Sequence, residues 1–434
     1  MIRTNLRPRV ALAIASALVT VLCAAAPYEP GGDSATSNAH ACKADESWDN
    51  AMSMCMPSAG PGGAHTVVSG QFNVFGVFDV AQGPRGVDQF GAPNMFMLDV
   101  GRAVTARQFL DLNLMGTAEL WTYPQRGYPQ LLQIGEQRSD GQPYLDAQHP
   151  HTSPIMGLTL SDTVSLESSE TLKLFFAPRG ESTDGPIAFM HRDSARDNPD
   201  APLGHHVGQD VGHISSTVLG GQLDLGQVIV EASAFNGTEP NPTVVDLPLG
   251  PLNSEALRVT YLWTSADRVM ASIANVKQTD PQYPGTTSAT RLSASVYDHI
   301  SLAEGGSRDH TLIVGSITRH PTDSPLTSIL DEAVLQRGTS DLWWRVEVLQ
   351  RLASELEIPT SPLPEASTEV KHWVSALTLG YTHWSWRYRK VQVGLGSSLT
   401  MDVVPSDWAS VYGSRTPLTL RFILQIRGSG SWQR

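Results

Sequence analysis

Histidine is concentrated in one part of this chain, and no other residue type is so clearly placed to do chemistry. Six of the 13 histidines lie between residues 149 and 213. Proline and glycine interrupt the surrounding pattern, so loops or strand ends are expected to carry them. Imidazole and thioether ligands together suit copper, and thioethers favour Cu(I). The candidate ligands are His149, His151, His191, His205, His206, His213 and Met190.

A second patch of soft ligands lies near the N-terminus, where Met52, Met54 and Met56 alternate around Cys55. Both patches also have a purely structural interpretation. Loop histidines often hold hydrogen-bonded networks, with carboxylates such as Asp193 fixing their tautomers. Alternating methionines can be ordinary packing material. The residue types alone therefore leave both metal binding and structural roles open.

Catalytic motifs are absent from the sequence. It contains no Gly-x-Ser-x-Gly elbow, no His-Glu-x-x-His pair and no phosphate-binding loop. We therefore expect no enzymatic activity. A lipid hydrolase built on a barrel stays open as an alternative, because serine and histidine are both available.

The first 26 residues have the features of a secretory signal peptide. Basic residues between Met1 and Arg9 precede an apolar run from Val10 to Leu22, and the segment ends in three alanines. Cleavage is expected near Ala26. Cys23 suggests lipidation, but Leu22 stands directly before it, where a small residue is needed.

Residues 27–66 are rich in glycine, proline and serine and show no usable period, which indicates a flexible periplasmic segment. Processing leaves two cysteines, and in an oxidising compartment Cys42 and Cys55 are expected to form a disulfide. The formal charge of −13 argues against nucleic acid as a partner. A hydrophobic fraction of 41% is too high for a disordered chain.

Alternation of apolar and polar residues dominates residues 67–434 and predicts β-strands that must position the histidines. Between Arg107 and Trp121, apolar residues at 110, 112, 114, 118 and 120 oppose polar residues at 107, 111, 113, 117 and 119. Similar runs recur and predict about 14 to 16 antiparallel strands, many about ten residues long. The segment Leu330–Leu356 also fits a helical stripe, but strands on both sides favour a strand.

A closed transmembrane β-barrel explains these strands better than a soluble β-sandwich or propeller. Strands of this length fit a tilted membrane crossing, and closure removes exposed edges. Polar faces with glycine and small residues beside charges are typical of a water-filled lumen. Five aromatic residues are expected in interfacial girdles at the strand ends: Trp373, Tyr381, Trp384, Trp386 and Tyr388.

Several long strings resemble a family of largely uncharacterised outer-membrane proteins of Gram-negative bacteria. They are GYPQLLQIGE at 127–136, DAQHPH at 146–151, GPIAFMHRDSARDNPDAP at 185–202, GHH at 204–206, His213-Ile214 and EASAFNGTEP at 231–240. Tyr412-Gly413, Pro417 and Phe422–Arg427 also fit. Members of that family are often encoded beside copper and heavy-metal handling genes. The resemblance implies an outer-membrane barrel and a link to metals.

Together these features predict an outer-membrane barrel over residues 67–434, with His-rich loops at 146–213 that form a plug or mouth. The expected role is passage or handling of a small solute or metal ion, with copper the leading candidate. Expected partners are outer-membrane lipid, the solute or ion, and a periplasmic metal-handling protein. The alternative is a barrel without transport that acts as a scaffold or partner-binding surface.

The histidines should converge if they form a site, because loops at one rim of a barrel face each other. A metal would then need about three or four nitrogens, or nitrogens with a methionine sulfur. Carboxylates such as Asp146 or Asp197 would hold the rings. The structural alternative places the same loops in a network with Arg192, Arg196 and Asp197.

Overall fold

The computed structural model describes residues 46–49, 54–57 and 66–433, except for gaps at 139, 152–153, 167–169, 211, 265, 278–284, 303–304, 322–323 and 360–368. The signal peptide, Cys42 and Met52 lie outside the described residues. Two short antiparallel strands, β1 (Glu46–Asp49) and β2 (Met54–Pro57), come first. This hairpin carries the backbone of Met54, Cys55 and Met56 and lies within residues 27–66, which were expected to be a flexible segment.

Most of the remaining strands follow the alternation seen in the sequence. The first half of the chain contributes β3 (Thr66–Ala81), β4 (Gln89–Gly91), β5 (Asn94–Thr105), β6 (Gln108–Gly116), β7 (Tyr128–Gln137), β8 (Pro143–Gln148), β9 (Ile155–Ser165), β10 (Thr171–Gly180), β11 (Ser215–Asp224) and β12 (Val228–Phe235). The second half contributes β13 (Ser254–Leu262), β14 (Arg268–Lys277), β15 (Ser288–Ser301), β16 (Ser307–His320), β17 (Leu326–Arg337), β18 (Ser340–Arg351), β19 (His372–Tyr388), β20 (Val391–Val403) and β21 (Leu418–Gln433).

All of these strands except β7 and β8 close into an antiparallel barrel, as predicted, whereas β7 and β8 pair with each other in a separate two-stranded sheet. Neighbours pair in chain order from β9 to β21, β21 pairs with β3, and β6 pairs with β9. Because β4 and β5 both pair with β3 and together occupy one position, the described barrel has 16 strands. The ambiguous segment 330–356 forms most of the hairpin β17–β18. Among the described residues, no helix is long and apolar enough to cross a membrane.

Side chains on the barrel strands alternate between an apolar outer face and a polar inner face. On β5, Phe96, Leu98 and Val100 are exposed, whereas Met97 and Asp99 are buried. The outer face presents large apolar side chains around the barrel, including Leu112, Leu257, Ile273, Leu292, Leu379 and Phe422. A closed barrel with an apolar exterior satisfies every strand edge and suits lipid. The chain is therefore built for the outer membrane.

Four of the five predicted girdle aromatics are exposed on β19, and one is not. Trp373, Tyr381, Trp386 and Tyr388 are exposed, but Trp384 points into the barrel. Its indole Nε1 donates to Asp341 Oδ2 at 2.8 Å. Regular alternation already turns Trp384 inward, as it does Thr382, and the register shift between residues 384 and 386 turns Trp386 outward. The girdle prediction is wrong for Trp384 because it took no account of the face on which alternation places this residue.

A charged side chain on the outer face should destabilise the barrel, and the loss of stability should be larger the deeper the charge lies in the membrane. Leu98 is 42% exposed in the middle of β5, so Leu98→Arg is expected to lower the free energy of unfolding by about 2–4 kcal/mol. Denaturant titration in lipid vesicles measures this change. Leu98→Met is the volume-matched control and should cost less than about 1.5 kcal/mol. An arginine variant as stable as the methionine variant would argue against lipid contact at this position.

The two rims of the barrel differ in the length of their connections. One rim has tight turns, such as residues 106–107, 338–339 and 389–390. The opposite rim carries the long segments 117–154, between β6 and β9, and 181–214, between β10 and β11. The first segment contains the short helix α1 (Glu119–Thr122) and the β7–β8 hairpin. A second short helix, α2 (Ala409–Tyr412), lies between β20 and β21.

Candidate metal site in the barrel lumen

The two long segments fold inward and fill the lumen instead of standing outside the rim. Nearly every described residue from 182 to 210 is buried, and so are residues 128–136. The second segment is wound into short helical turns at Phe189–His191, Asp193–Ala195 and His205–Gln209. The expectation of a water-filled lumen is therefore wrong over this region, and the predicted inward plug is the arrangement found.

Buried ion pairs hold the segment 181–214 to the barrel wall. Arg192 Nε lies 2.6 Å from Glu332 Oε1 on β17. Arg196 Nη1 lies 2.7 Å from Asp309 Oδ2, and Asp197 Oδ1 lies 2.8 Å from Arg427 Nη1. These are the three plug residues expected from the sequence to form a polar network. Their partners, however, are charged residues on barrel strands instead of the histidines.

The turn at His205–Gln209 docks on the wall through Gly208. Its φ is +78°, and a Cβ at this position would lie 2.7 Å from Ser316 N and 2.9 Å from Leu292 O. Glycine is thus required twice, for the left-handed backbone and for the close approach to β15 and β16. This contact sets the position of the adjacent His205 and His206.

Gly208→Ala should therefore displace the histidine turn. We expect a loss of about 1–3 kcal/mol in stability of the segment, with faster proteolysis between residues 181 and 214. Gly226→Ala is a matched control, because Gly226 also has a positive φ (+85°) but would bring its Cβ within 4 Å of nothing. Equal protease sensitivity of the two variants would show that wall contact at Gly208 does not position the turn.

Five of the predicted histidines converge inside the lumen although two separate segments supply them. Ring centroids of His205 lie 4.5 Å from those of both His206 and His213. The His149 ring lies 5.9 Å from His205 and 6.0 Å from His206. His151 lies 5.3 Å from His213. All five side chains are buried.

Two glutamates complete this group. Glu239 Oε1, from the β12–β13 loop, lies 3.6 Å from His149 Nε2 and 3.8 Å from His213 Nε2. Glu136 Oε1, on β7, lies 3.7 Å from His206 Nδ1. Ligand atoms of His149, His205, His213 and Glu239 lie within 4.8 Å of one another, as do those of Glu136, His206 and Glu239. Glu239 belongs to both sets and lies at the centre of the group.

Hydrogen bonds assign different tautomers to these rings. Asp210 O accepts from His213 Nδ1 at 2.7 Å, and Glu119 Oε2 lies 2.6 Å from His151 Nδ1. The His213 ring then has an unprotonated Nε2 directed toward Glu239, the arrangement typical of metal-binding histidine. His149 is the reverse, because its Nδ1 accepts from the backbone N–H of Glu136 at 3.0 Å. Its protonated Nε2 therefore faces Glu239 as a donor.

Burial keeps most of the imidazoles neutral. It lowers the pKa of His205 to about 3, with the charge of His151 as a further cause. Burial likewise holds the pKa values of His149, His206 and His213 well below their usual range. For His151, burial lowers the pKa, but the Glu119 carboxylate outweighs it and the net pKa is raised. Neutral imidazole is the form that binds metal.

The remaining predicted ligands lie elsewhere. His191 Nε2 pairs with Glu181 Oε1 at 2.9 Å, and neither residue belongs to the two sets around Glu239. Met190 packs in a cluster of methionines. Both residues precede the histidine turn in the same segment, but the short helical turns direct them to another part of the lumen.

The carboxylates expected to hold the rings have other partners. Asp146 Oδ2 pairs with Arg85 at 2.8 Å, and Asp197 pairs with Arg427. Glu119, Glu136 and Glu239 take that place instead, and sequence reasoning assigned no role to any of them. Glu119 was expected on a strand, but β6 ends at Gly116 and α1 begins at Glu119. Two of these glutamates could have been found from the sequence, because Glu136 and Glu239 lie in the strings at 127–136 and 231–240 that resemble the outer-membrane family.

Comparisons with known proteins agree with this architecture. No protein-family model matches the sequence, and no curated protein is similar to it. The structure is similar to an anion-selective porin from Comamonas acidovorans, with a TM-score of 0.51, 10% identity, and coverage of 85% of this chain and 100% of that chain. Salmonella typhi OmpF in complex with daunomycin gives a TM-score of 0.49 at 9% identity, over 84% of this chain and 97% of that chain.

The Comamonas likeness, at this level of identity, establishes the fold alone. The closed antiparallel barrel, its apolar exterior and this likeness place the chain among outer-membrane β-barrel proteins with a porin-like fold. What distinguishes it within that class is the buried histidine and glutamate group in the filled lumen.

Proposed function

We propose that this outer-membrane barrel binds a transition-metal ion at the histidine and glutamate group in its lumen and takes part in passing or handling that ion. Imidazole nitrogen suits copper, zinc, iron and nickel, and the order of divalent affinities places Cu(II) first for a site of this kind. Copper is therefore the first candidate.

The observation that carries this proposal is the set of unsatisfied imidazole nitrogens at the centre of the group. His205 Nε2 and His213 Nε2 are buried and make no hydrogen bond among the described residues. Leaving such atoms without a partner costs free energy, and a purely structural network would be expected to satisfy them. A bound cation supplies the missing partner.

Tautomers suggest a division of roles within the group. His205, His213 and Glu239 would be the direct ligands, because each offers an unprotonated atom. His149 would orient Glu239 by donating to its carboxylate. Metal–nitrogen bonds of about 2.0–2.1 Å bring ligand atoms closer together than the present limit of 4.8 Å, so binding would contract the group slightly.

Passage of small solutes is the more general role that we propose for the barrel. One similar structure is, by its name, an anion-selective porin, and 16-stranded barrels enclose a channel when their lumen is empty. Here the segments 117–154 and 181–214 occupy that space. Passage therefore requires either that a segment moves or that the solute is transferred between binding sites inside the lumen.

Metal titration of the purified protein in detergent tests the metal site. We expect tight binding of Cu(II), with nitrogen hyperfine splitting in its electron paramagnetic resonance spectrum. Loss of a residue that only orients a ligand lowers metal affinity roughly 10–100-fold. The double variant His205→Ala/His206→Ala removes a direct ligand, so its Cu(II) affinity should fall by about 100-fold or more.

The matched control is His372→Ala/His383→Ala, which removes two imidazoles outside the group. It should leave Cu(II) affinity unchanged. Equal affinity of both double variants would contradict the metal site.

Flux of Cu(II) into proteoliposomes loaded with a chelating dye then tests passage. Binding without flux would favour the alternative of a barrel that serves as a scaffold.

A further inference from the structure

Methionines form a second group of ligand-bearing side chains in the lumen. Five of the chain's 11 methionines pack in one cluster, and Ile214 is the only other buried member. Two come from β5, one each from β6 and β9, and one from the segment 181–214. They are Met95, Met97, Met115, Met156 and Met190.

Strand geometry explains how these residues meet. Met95 and Met97 occupy inward positions on β5, and Met97 stands directly opposite Met115 on β6. Met156 is the extra residue of a bulge, because Gly157 pairs with Met115 while Ile155 pairs with Gly116. The bulge lets Met156 bury its side chain completely.

The surroundings of the cluster are polar, which distinguishes it from an ordinary hydrophobic core. The Gln71 amide donates to Met97 Sδ at 3.2 Å. The next inward positions on β5 and β6 are Asp99 and Asn113, which hydrogen bond to each other at 2.5 Å. Leucine or valine would fill such positions as well as methionine does. Methionine differs from them in its soft thioether sulfur, which can bind a metal ion.

The cluster also adjoins two cavities. Met95 and Met190 line a cavity of about 230 Å³ that extends to Lys390 at the tight-turn rim. The same two methionines line a smaller cavity of about 40 Å³ together with His151 and Glu119. Met95 and Met190 therefore lie between the larger cavity, which extends to the tight-turn rim, and the smaller cavity beside His151.

The three arginines that line the larger cavity have acidic partners, which offset their charge near the cluster. Arg192 pairs with Glu332, Arg196 with Asp309, and Arg427 with Asp197. A neutral thioether set in such surroundings suits an ion of low charge. Soft thioether ligands select Cu(I) among the biological metals, and Ag(I) is its redox-inert counterpart.

We propose that this cluster is a binding site for a soft monovalent cation, Cu(I) or Ag(I), separate from the histidine and glutamate group. The proposal does not depend on metal binding at the histidines. If both sites bind, their adjacency through the smaller cavity provides a path between them.

Silver titration of the full-length protein in detergent tests this site. The variant Met95→Leu/Met97→Leu/Met115→Leu/Met190→Leu keeps side-chain volume nearly constant and removes four sulfurs. We expect its Ag(I) affinity to fall about tenfold or more, since each lost sulfur removes a ligand. The matched control is Met270→Leu/Met401→Leu, which removes methionines outside the cluster and should bind as the unmodified protein does.

Background from the N-terminal patch is removed by placing Met52→Leu/Met54→Leu/Met56→Leu in every protein compared. Methyl resonances of isotopically labelled methionine give a second readout, and those of the cluster should shift on addition of Ag(I). Heat-modifiable gel mobility reports folding. Met190→Leu alone, which changes one half-buried loop residue, serves if the fourfold variant does not fold.

Two results would overturn the proposal. One is unchanged Ag(I) affinity in the folded leucine variant. The other is loss of Ag(I) binding in His205→Ala/His206→Ala with no loss in the leucine variant, which would assign the silver to the histidines. Retained Ag(I) binding in the histidine variant, with Cu(II) binding lost, would instead support two separate sites.

Discussion

Excision of residues 183–211 is expected to remove one of the two segments that fill the lumen and so to open part of the lumen to water. The backbone N–H of Ser182 donates to Gly212 O at 3.0 Å, so the ends of the excised segment already meet and a short glycine–serine linker can join them. Barrels of 16 strands leave an aqueous channel when no segment occupies it. Single-channel conductance in planar bilayers should therefore rise relative to the unmodified protein.

A control deletion shows whether this rise depends on the plug. Residues 243–249 lie mostly exposed in the β12–β13 loop, and their removal spares Glu239. Conductance should then stay at the level of the unmodified protein. If the variant without residues 183–211 folds and conducts no better than this control, the segment does not obstruct the pore.

Glu332→Gln is expected to release the plug from the wall by breaking a buried ionic network. Glu332 is 1% exposed and accepts from Arg192 Nε at 2.6 Å and from Arg345 Nε at 2.8 Å. The amide keeps the shape but leaves two buried guanidinium groups without their common counter-charge. Removal of one partner from a buried ion pair costs about 3–5 kcal/mol.

Equilibrium unfolding in denaturant measures that loss, and proteolysis of the segment 181–214 reports where it occurs. Asp298→Asn is the control, since its pair with Arg308 at 2.6 Å is partly exposed. Such a pair contributes about 0–1 kcal/mol. Similar losses in the two variants would show that the Glu332 network does not carry the anchoring of the plug.

Barrel architecture could be predicted from the sequence because it depends on a local property. A period of two puts alternate side chains on opposite faces, so Leu110, Leu112 and Leu114 had to share one face of β6. A strand is favoured for 330–356 because its neighbours are strands, and this holds for residues 330–337 and 340–351, whereas Ser354–Leu356 form a helical turn. The period of two does not apply where the backbone departs from strict alternation, at the bulge that turns Trp386 outward and where β6 gives way to α1 before Glu119.

The sequence by itself determined which residue types were available for a metal and that they lie between strands. Only the tertiary structure decided which of them meet. His149, His205 and Glu239 come from three connections of the barrel, and inward folding of two of these brings the side chains together. His191 had the same residue type and a similar context, yet it pairs with Glu181.

Tertiary contacts also decided the chemistry of each ring. The backbone N–H of Glu136 and the carbonyl of Asp210 assign opposite tautomers to His149 and His213. Likewise, Met156 joins the methionine cluster through a bulge that no period in the sequence reveals. Local periodicity sets which face a side chain takes, whereas a ligand's partners depend on contacts between residues far apart in the chain, which only the folded barrel brings together.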